Sequence, residues 1–287
     1  MILILQSPLA TPSSIDLIAG QAGAHQVTQL NAQAWSCEDV DGQAATQALV
    51  QRSALEQGVD ATYLAAPLAL ADFRLLAMDM DSTLITIECI DEIADLQGLK
   101  PQVAAITEAA MRGEIAFGES LTRRVALLKG LDAAALQRVY DQRLALSPGA
   151  ENMLGAVHAA GIKTLLVSGG FTFFTERVKQ RLGLDYAHSN ELEILDGKLT
   201  GRVVGGIVDA TEKKRTVQRI CAELGITTQQ AIVMGDGAND LEMMAVSGLS
   251  VAFRAKPLVR EKADVALNFS GLDGILNLMT RQDGPGA

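Results

Sequence analysis

Four short runs in this 287-residue chain are apolar without alternation: 75–78 (Leu-Leu-Ala-Met), 164–167 (Thr-Leu-Leu-Val), 231–234 (Ala-Ile-Val-Met) and 249–253 (Leu-Ser-Val-Ala-Phe). A strand with one wet face alternates apolar and polar residues. A continuous apolar run of this length fits a strand buried on both faces, as in a parallel sheet covered by helices. Val265-Ala266-Leu267 is a shorter run of the same kind, and helical patterns at 173–181, 214–224 and 241–246 separate the strands. The expected class is α/β, with a Rossmann-like parallel sheet. Glu193 to Thr200 reads as a hairpin, because Asp196-Gly197 suits a type I′ turn.

The stretch between the first two runs is too long for a simple crossover, which needs one helix. Residues 87–146 are helical in pattern, with apolar stripes at Ile90, Ile93 and Ala94 and at Leu121, Val125 and Leu128. A helical insertion at the ligand end of a sheet reads as a cap. Residues 1–70 read separately, as strand, helix, two strands, helix and strand: Ile2 to Leu5, a helix capped at Thr11 or Ser13 with Ile15, Leu17 and Ile18 as its apolar face, a weakly alternating His25 to Ala34, Trp35 to Cys37, Ala44 to Gln57, and Val59 to Leu64. That order fits a small α+β ferredoxin-like domain, joined near Pro67 to a second domain over 71–287.

Composition removes several function classes. The formal net charge is −10, which disfavours binding to nucleic acid or to an anionic membrane. Cys37, Cys89 and Cys221 are widely spaced and the three histidines are scattered. A disulfide framework or zinc site is not expected, and a reducing cytoplasm is the simplest location. An anionic substrate would need a metal or a locally positive pocket.

The candidate chemistry lies at the ends of the strands, where open α/β sheets bind ligands. Asp79-Met80-Asp81-Ser82-Thr83 follows the first run, and its two carboxylates repel unless a cation or proton relieves them. Oxygen ligands of this kind suit Mg²⁺; one carboxylate suits a nucleophile and the other a proton donor. By itself the segment also fits a solvated acidic turn. Ser168-Gly169-Gly170 follows the second run and can hold a phosphate with hydroxyl and backbone N–H groups. Gly235-Asp236-Gly237-Ala238-Asn239-Asp240 follows the third, with Asp236 where a metal ligand should stand and Asp240 placed to orient its neighbours. Lys213, at a helix start, can hold like charges together, with Lys214 and Arg215 as rivals.

In that order and spacing, Asp79-x-Asp81-x-Thr83, Ser168, Lys213 and Gly235-Asp236-Gly237-Ala238-Asn239-Asp240 resemble the haloacid dehalogenase superfamily. The wording Asp79-Met80-Asp81-Ser82-Thr83-Leu84 with Glu88, Arg124 and Val167-Ser168-Gly169-Gly170-Phe171 resembles its phosphoserine phosphatase family, over about residues 74–276. The resemblance implies Asp79 as nucleophile and Asp81 as general acid and base. It implies Mg²⁺ held by Asp79, the Asp81 carbonyl and Asp236, and phosphate bound by Ser168, Gly169 and Lys213, with Asn239 in contact or support. It implies Glu88 and Arg124 on the ammonium and carboxylate of phosphoserine, with Met111 and Phe117 closing over it. The N-terminal order resembles ACT-type domains, which implies a homodimer or a serine-sensing role.

Overall fold

The computed structural model describes residues 1–279 apart from Gly113, and for Met111 the backbone alone. The first unit comprises β1 (Ile2–Gln6), α1 (Pro12–Gln21), β2 (Gln26–Asn31), β3 (Ala34–Glu38), α2 (Ala44–Glu56) and β4 (Asp60–Leu64). Its sheet runs β2-β3-β1-β4 with every pairing antiparallel, the ferredoxin-like arrangement. Thr11 caps α1: its Oγ1 accepts from the Ser14 N–H at 3.2 Å, and Ser14 Oγ accepts from the Thr11 N–H at 3.0 Å. Ile15 and Ile18 are buried as expected, but Leu17 is 47% exposed. It lies two residues from Ile15, about 200° around a helix, so Ala19 and Ala22 complete the buried face instead.

The second unit opens with β5 (Leu75–Met78). The helices α3 (Cys89–Asp95), α4 (Lys100–Met111), α5 (Phe117–Ala126) and α6 (Ala134–Gln142) follow, then α7 (Ala150–Ala159), β6 (Lys163–Phe171) and α8 (Thr172–Leu182). The chain continues through β7 (Tyr186–Leu195), β8 (Lys198–Val204), α9 (Ala210–Glu223) and β9 (Ala231–Gly235). It ends in α10 (Leu241–Met244), β10 (Leu249–Phe253), α11 (Pro257–Lys262), β11 (Val265–Leu267) and a 3₁₀ segment at Leu272–Leu278. The sheet runs β11-β10-β9-β5-β6-β7-β8, parallel throughout except for β8 on β7.

Successive β5 residues serve opposite cores. Leu76 and Met78 pack with Met153 and Val157 of α7 and Phe174 of α8, while Leu75 and Ala77 pack with Val217 and Ile220 of α9 and Met243 of α10. Two buried faces are why this strand carries no polar alternation. Strand order reverses beside β5: the chain moves outward through β6, β7 and β8, then returns to the other side through β9. A crevice opens at such a switch point.

The structure moves three expected boundaries. Ser168-Gly169-Gly170 does not follow its strand but is part of β6. Helix α9 begins at Ala210 rather than near Lys214, because Asp209 Oδ1 accepts the Glu212 N–H at 2.9 Å and caps it there. Lys213 therefore sits within the first turn and does not open the helix. The helix expected at 241–246 ends at Met244. The β7–β8 turn is as expected, with Asp196 and Gly197 at φ 51° and 75°. This hairpin also holds the cap: Gly130 N–H donates to Leu199 O at 2.7 Å, Leu199 N–H to Leu131 O at 2.8 Å and Ala133 N–H to Gly197 O at 2.8 Å.

The two units meet through polar as well as apolar contacts. Ile4 of β1 joins the apolar cluster that includes Leu76 and Leu272. Asp60, at the start of β4 and 1% exposed, accepts the N–H groups of Asn268 (2.7 Å), Phe269 (3.1 Å) and Ser270 (2.9 Å). Burial pushes the Asp60 carboxyl up, and these bonds act against that. Asp60→Ala would leave three N–H groups short of an acceptor, and unfolding in urea should show a loss of roughly 2–4 kcal/mol. An unchanged midpoint would show that the contact carries no stability.

Candidate active site

Three strand ends converge at the crevice. Asp79 ends β5, 5% exposed; its N–H donates to Met234 O of β9 at 3.0 Å, which fixes its backbone. Its Oδ1 accepts from Met80 N–H at 2.7 Å and from Lys213 Nζ at 2.8 Å. Lys213 is fully buried and also donates to Asp240 Oδ1 at 2.7 Å. Asp240 Oδ2 accepts the N–H groups of Asp236 (3.2 Å) and Gly237 (3.1 Å). One ammonium thus joins the β5 end to the loop after β9. Burial works to lower the Lys213 ammonium, but Asp240 and Asp79 outweigh it and hold it above the ordinary lysine range.

Lys213 is therefore the cation of this cluster. Lys214 turns to Glu242 at 3.0 Å and Arg215 is exposed.

Asp81 points elsewhere. After Asp79 the chain makes a wide turn over Met80–Leu84 with Ser82 at φ 56°, a left-handed conformation uncommon for a residue with a side chain. Asp81 Oδ2 accepts the Cys89 N–H at 3.4 Å, and Oδ1 is buried without a hydrogen-bond partner. Burial first, then the Glu88 charge, raises the Asp81 carboxyl to about 8. The two aspartates of the motif thus differ: Asp79 is tied to a cation, and Asp81 holds a proton at neutral pH.

Asp79, Asp236 and Asp240 offer carboxylate oxygens within 4.8 Å of one another. Burial, then Asp240, raises Asp79 well above the carboxylate range; the same causes raise Asp236 to about 7. Lys213 supplies one positive charge against three carboxyls, and the donors are all oxygen. This set fits a hard divalent cation. Asp240 already serves Lys213 and two N–H groups, so Asp79 and Asp236 are the freer pair.

A cavity of about 520 Å³ lies between these strand ends and the cap. Asp79, Asp81, Ser168, Gly169, Asp236 and Asn239 line its floor, and Glu88, Phe117 and Arg124 its cap side. Every expected site residue with a described side chain lines this cavity or, as Lys213, bonds to one that does. The Met111 side chain lies outside the described residues. Phe117 closes down on the floor, where a Cβ built on Gly169 would lie 3.0 Å from its Cζ.

Glu88 Oε1 accepts from Ser82 Oγ at 2.7 Å, and its carboxyl is raised by the surrounding protein although the side chain opens on the cavity. Burial lowers the Arg124 guanidinium, against the pull of Asp91, Glu88 and Asp81. Arg124 Nε donates to Ser120 O at 3.4 Å, and among the described ion pairs none takes its charge. A larger groove, about 910 Å³, lies between the N-terminal sheet and the 272–278 segment. It contains none of the converging carboxylates, so the chemistry belongs to the smaller cavity.

Sequence reasoning missed several supports: Ser82 on Glu88, Thr83 Oγ1 on Asp236 Oδ1 at 3.3 Å, the Cys89 N–H on Asp81, and Lys256 at the cavity wall. Ser82 and Thr83 stood inside the motif; nothing local marked Cys89 or Lys256.

Residues 73–248 match the haloacid dehalogenase-like hydrolase family. A phosphoserine phosphatase of Polaromonas sp. (strain JS666) is 55% identical over 235 residues, covering 80% of this chain and 100% of the relative. The crystal structure of a haloacid dehalogenase family hydrolase, t0658 of Salmonella enterica serovar Typhi, superposes with a TM-score of 0.88 at 34% identity, covering 98% of this chain and 99% of that one. A probable phosphoserine phosphatase from Vibrio cholerae, in unliganded form, gives a TM-score of 0.80 at 36% identity over 97% of this chain and 86% of its own. The chain belongs to the haloacid dehalogenase-like hydrolases, an enzyme family whose matched segment spans the strand ends just described.

The carboxylate cluster makes a stability prediction. A carboxyl higher in the folded than in the unfolded state stabilises the fold while protonated. For Asp236 that contribution is lost as pH rises from its ordinary 3.8 through about 7. A divalent cation replaces the lost protons, so Mg²⁺ should raise the melting temperature at pH 8 more than at pH 5. Asp236→Asn should diminish the shift; an equal shift in both proteins would contradict the cluster as the cation site.

Proposed function

We propose that this protein is an Mg²⁺-dependent phosphomonoesterase that hydrolyses O-phospho-L-serine to L-serine and phosphate through an aspartyl-phosphate at Asp79. The observation that carries the reading is the pair of unlike carboxyls on one cavity floor: Asp79 bonded to the buried Lys213 ammonium, and Asp81 protonated and without a partner at Oδ1. The 55% identity to a phosphoserine phosphatase supports it. The reading takes 1–70 as a ferredoxin-like domain and 71–287 as the catalytic domain with its cap at 87–146.

Asp79 Oδ1 is engaged by two donors, which leaves Oδ2 to attack phosphorus. As the new P–O bond forms, the bond from phosphorus to the serine oxygen breaks, and Asp81 gives that oxygen its proton. Asp81, now a carboxylate, takes a proton from the water that attacks the aspartyl-phosphate. Phosphate leaves and Asp79 is restored. Lys213 stays protonated throughout and offsets the charge gathered on the phosphoryl oxygens, which Ser168, Gly169 and Asn239 border. Asp79, Asp236 and the Asp81 carbonyl would hold Mg²⁺, which when bound neutralises charge and orients the phosphoryl group.

The cap reads the rest of the substrate. Glu88 offers a carboxylate to the ammonium group, and Arg124 a guanidinium fork to the carboxylate. Phe117 lies over Gly169 and narrows the mouth, excluding water. Among the described residues no helix is long and apolar enough to cross a membrane. We place the reaction in the cytoplasm, last in serine synthesis.

Arg124→Ala should raise KM for phosphoserine by about 10- to 100-fold, the loss of a charge-assisted pair. It should change little for a phosphomonoester without a carboxylate. Equal kinetics of the two proteins on phosphoserine would sink the substrate assignment. Asp81 delivers its proton only while protonated, so kcat/KM should fall as pH rises through about 8. A pH–rate profile that stays flat through that region would remove Asp81 as the acid.

A further inference from the structure

Strand β6 does not run straight into the site. Val167 pairs with His188 and Phe171 with Asn190, so Ser168, Gly169 and Gly170 stand opposite Ser189 alone. The surplus bends this part of the strand away from the ladder and leaves backbone groups without strand partners. Ser168, Gly169 and Gly170 all line the cavity.

Asn190 occupies the gap. It is 1% exposed. Its Nδ2 donates to Gly169 O at 2.7 Å, and its Oδ1 accepts the Val208 N–H at 2.8 Å. The first bond sets the plane of the peptide joining Gly169 to Gly170. The second fixes the residue before Asp209, the cap of the helix that carries Lys213. The two segments also run close, since a Cβ built on Gly169 would lie 3.6 Å from Val208 O. One amide side chain thus spans the two segments that carry Ser168 and Lys213, and uses both ends of its dipole to do so.

We infer that Asn190 is a positioning residue for the phosphoryl group. Through Gly169 and Val208 it sets the spacing between the β6 bulge and the start of α9, and so the width of the anion cradle. It does not touch substrate. The inference rests on the proposed phosphate role of Ser168, Gly169 and Lys213, and its test reads phosphate affinity without turnover.

Asn190→Asp keeps the shape and exchanges the donor for an oxygen. Ionised, it faces the Gly169 carbonyl with a second acceptor. Protonated, its O–H donates to Gly169 O while its carbonyl accepts the Val208 N–H, which restores both bonds. Such a buried carboxyl is protonated at higher pH than usual. The nearby titratable groups are His188, which pairs with Glu212 at 3.4 Å, and Glu191 and Asp209. All are present in wild type as well, so the ratio of the two proteins at each pH cancels them.

The probe is inorganic phosphate with Mg²⁺, titrated calorimetrically into the full chain between pH 5 and pH 8.5. At the alkaline end the variant should bind phosphate about ten-fold more weakly, the cost of one buried hydrogen bond replaced by repulsion. The deficit should close as pH falls. A merely structural role would lower the melting temperature and leave the affinity ratio at one. Affinity equal to wild type at every pH, or a deficit that persists unchanged at the acid end, would overturn the inference. If Asn190→Asp does not fold, Asn190→Ser is read by the same titration: weakened phosphate binding supports the role, and unchanged binding overturns it. Failure of wild type to hydrolyse phosphomonoesters would count instead against the proposed function.

Discussion

The buried ammonium of Lys213 is the contact on which the site depends. It lies between Asp79 and Asp240 at 2.8 and 2.7 Å, with no exposed surface. Without it, Asp79, Asp236 and Asp240 would crowd their charge into the end of a sheet with nothing buried to offset it. An ammonium removed from water costs several kcal/mol unless paired, and two carboxylates supply that pairing. The arrangement also transmits position. Asp240 passes the constraint to the Asp236 and Gly237 N–H groups, so the loop after β9 takes its place from a helix fourteen residues long that starts across the crevice.

The same economy of contacts separates the two aspartates of the motif. They are two residues apart, yet the wide turn at Ser82 sends them to different surroundings. Asp79 meets the Lys213 ammonium, which bonds to its Oδ1. Asp81 meets the Cys89 N–H and the Glu88 charge and keeps its proton. Two like carboxyls in one site are thus set apart by environment rather than by residue type.

Much of this was legible in sequence. The apolar runs at 75–78, 249–253 and 265–267 coincide with β5, β10 and β11, because burial on both faces leaves a signal that needs no partner to read. The strand-end residues were legible for the same reason: polar groups directly after such a run have one crevice to enter. What was not legible depended on contacts far apart in the chain. The Ser168 to Gly170 stretch read as lying beyond its strand, since the apolar run stops at Val167; pairing of Phe171 with β7 and the Asn190 amide hold it within a bulged strand. Lys213 read as a helix-opening residue because nothing marked Asp209 as the cap. Asp60 looked like an ordinary residue of the strand expected from Val59 to Leu64 and gave no sign of the three N–H groups it receives from residues more than two hundred positions away.

The central claim is that phosphorus passes through Asp79. Acid quenching of a reaction with ³²P-labelled phosphoserine, followed by peptide mapping, tests it most directly. The account predicts a hydroxylamine-labile label on the peptide containing Asp79, absent from the Asp79→Asn protein. Label on another residue, or label retained by Asp79→Asn, would contradict it.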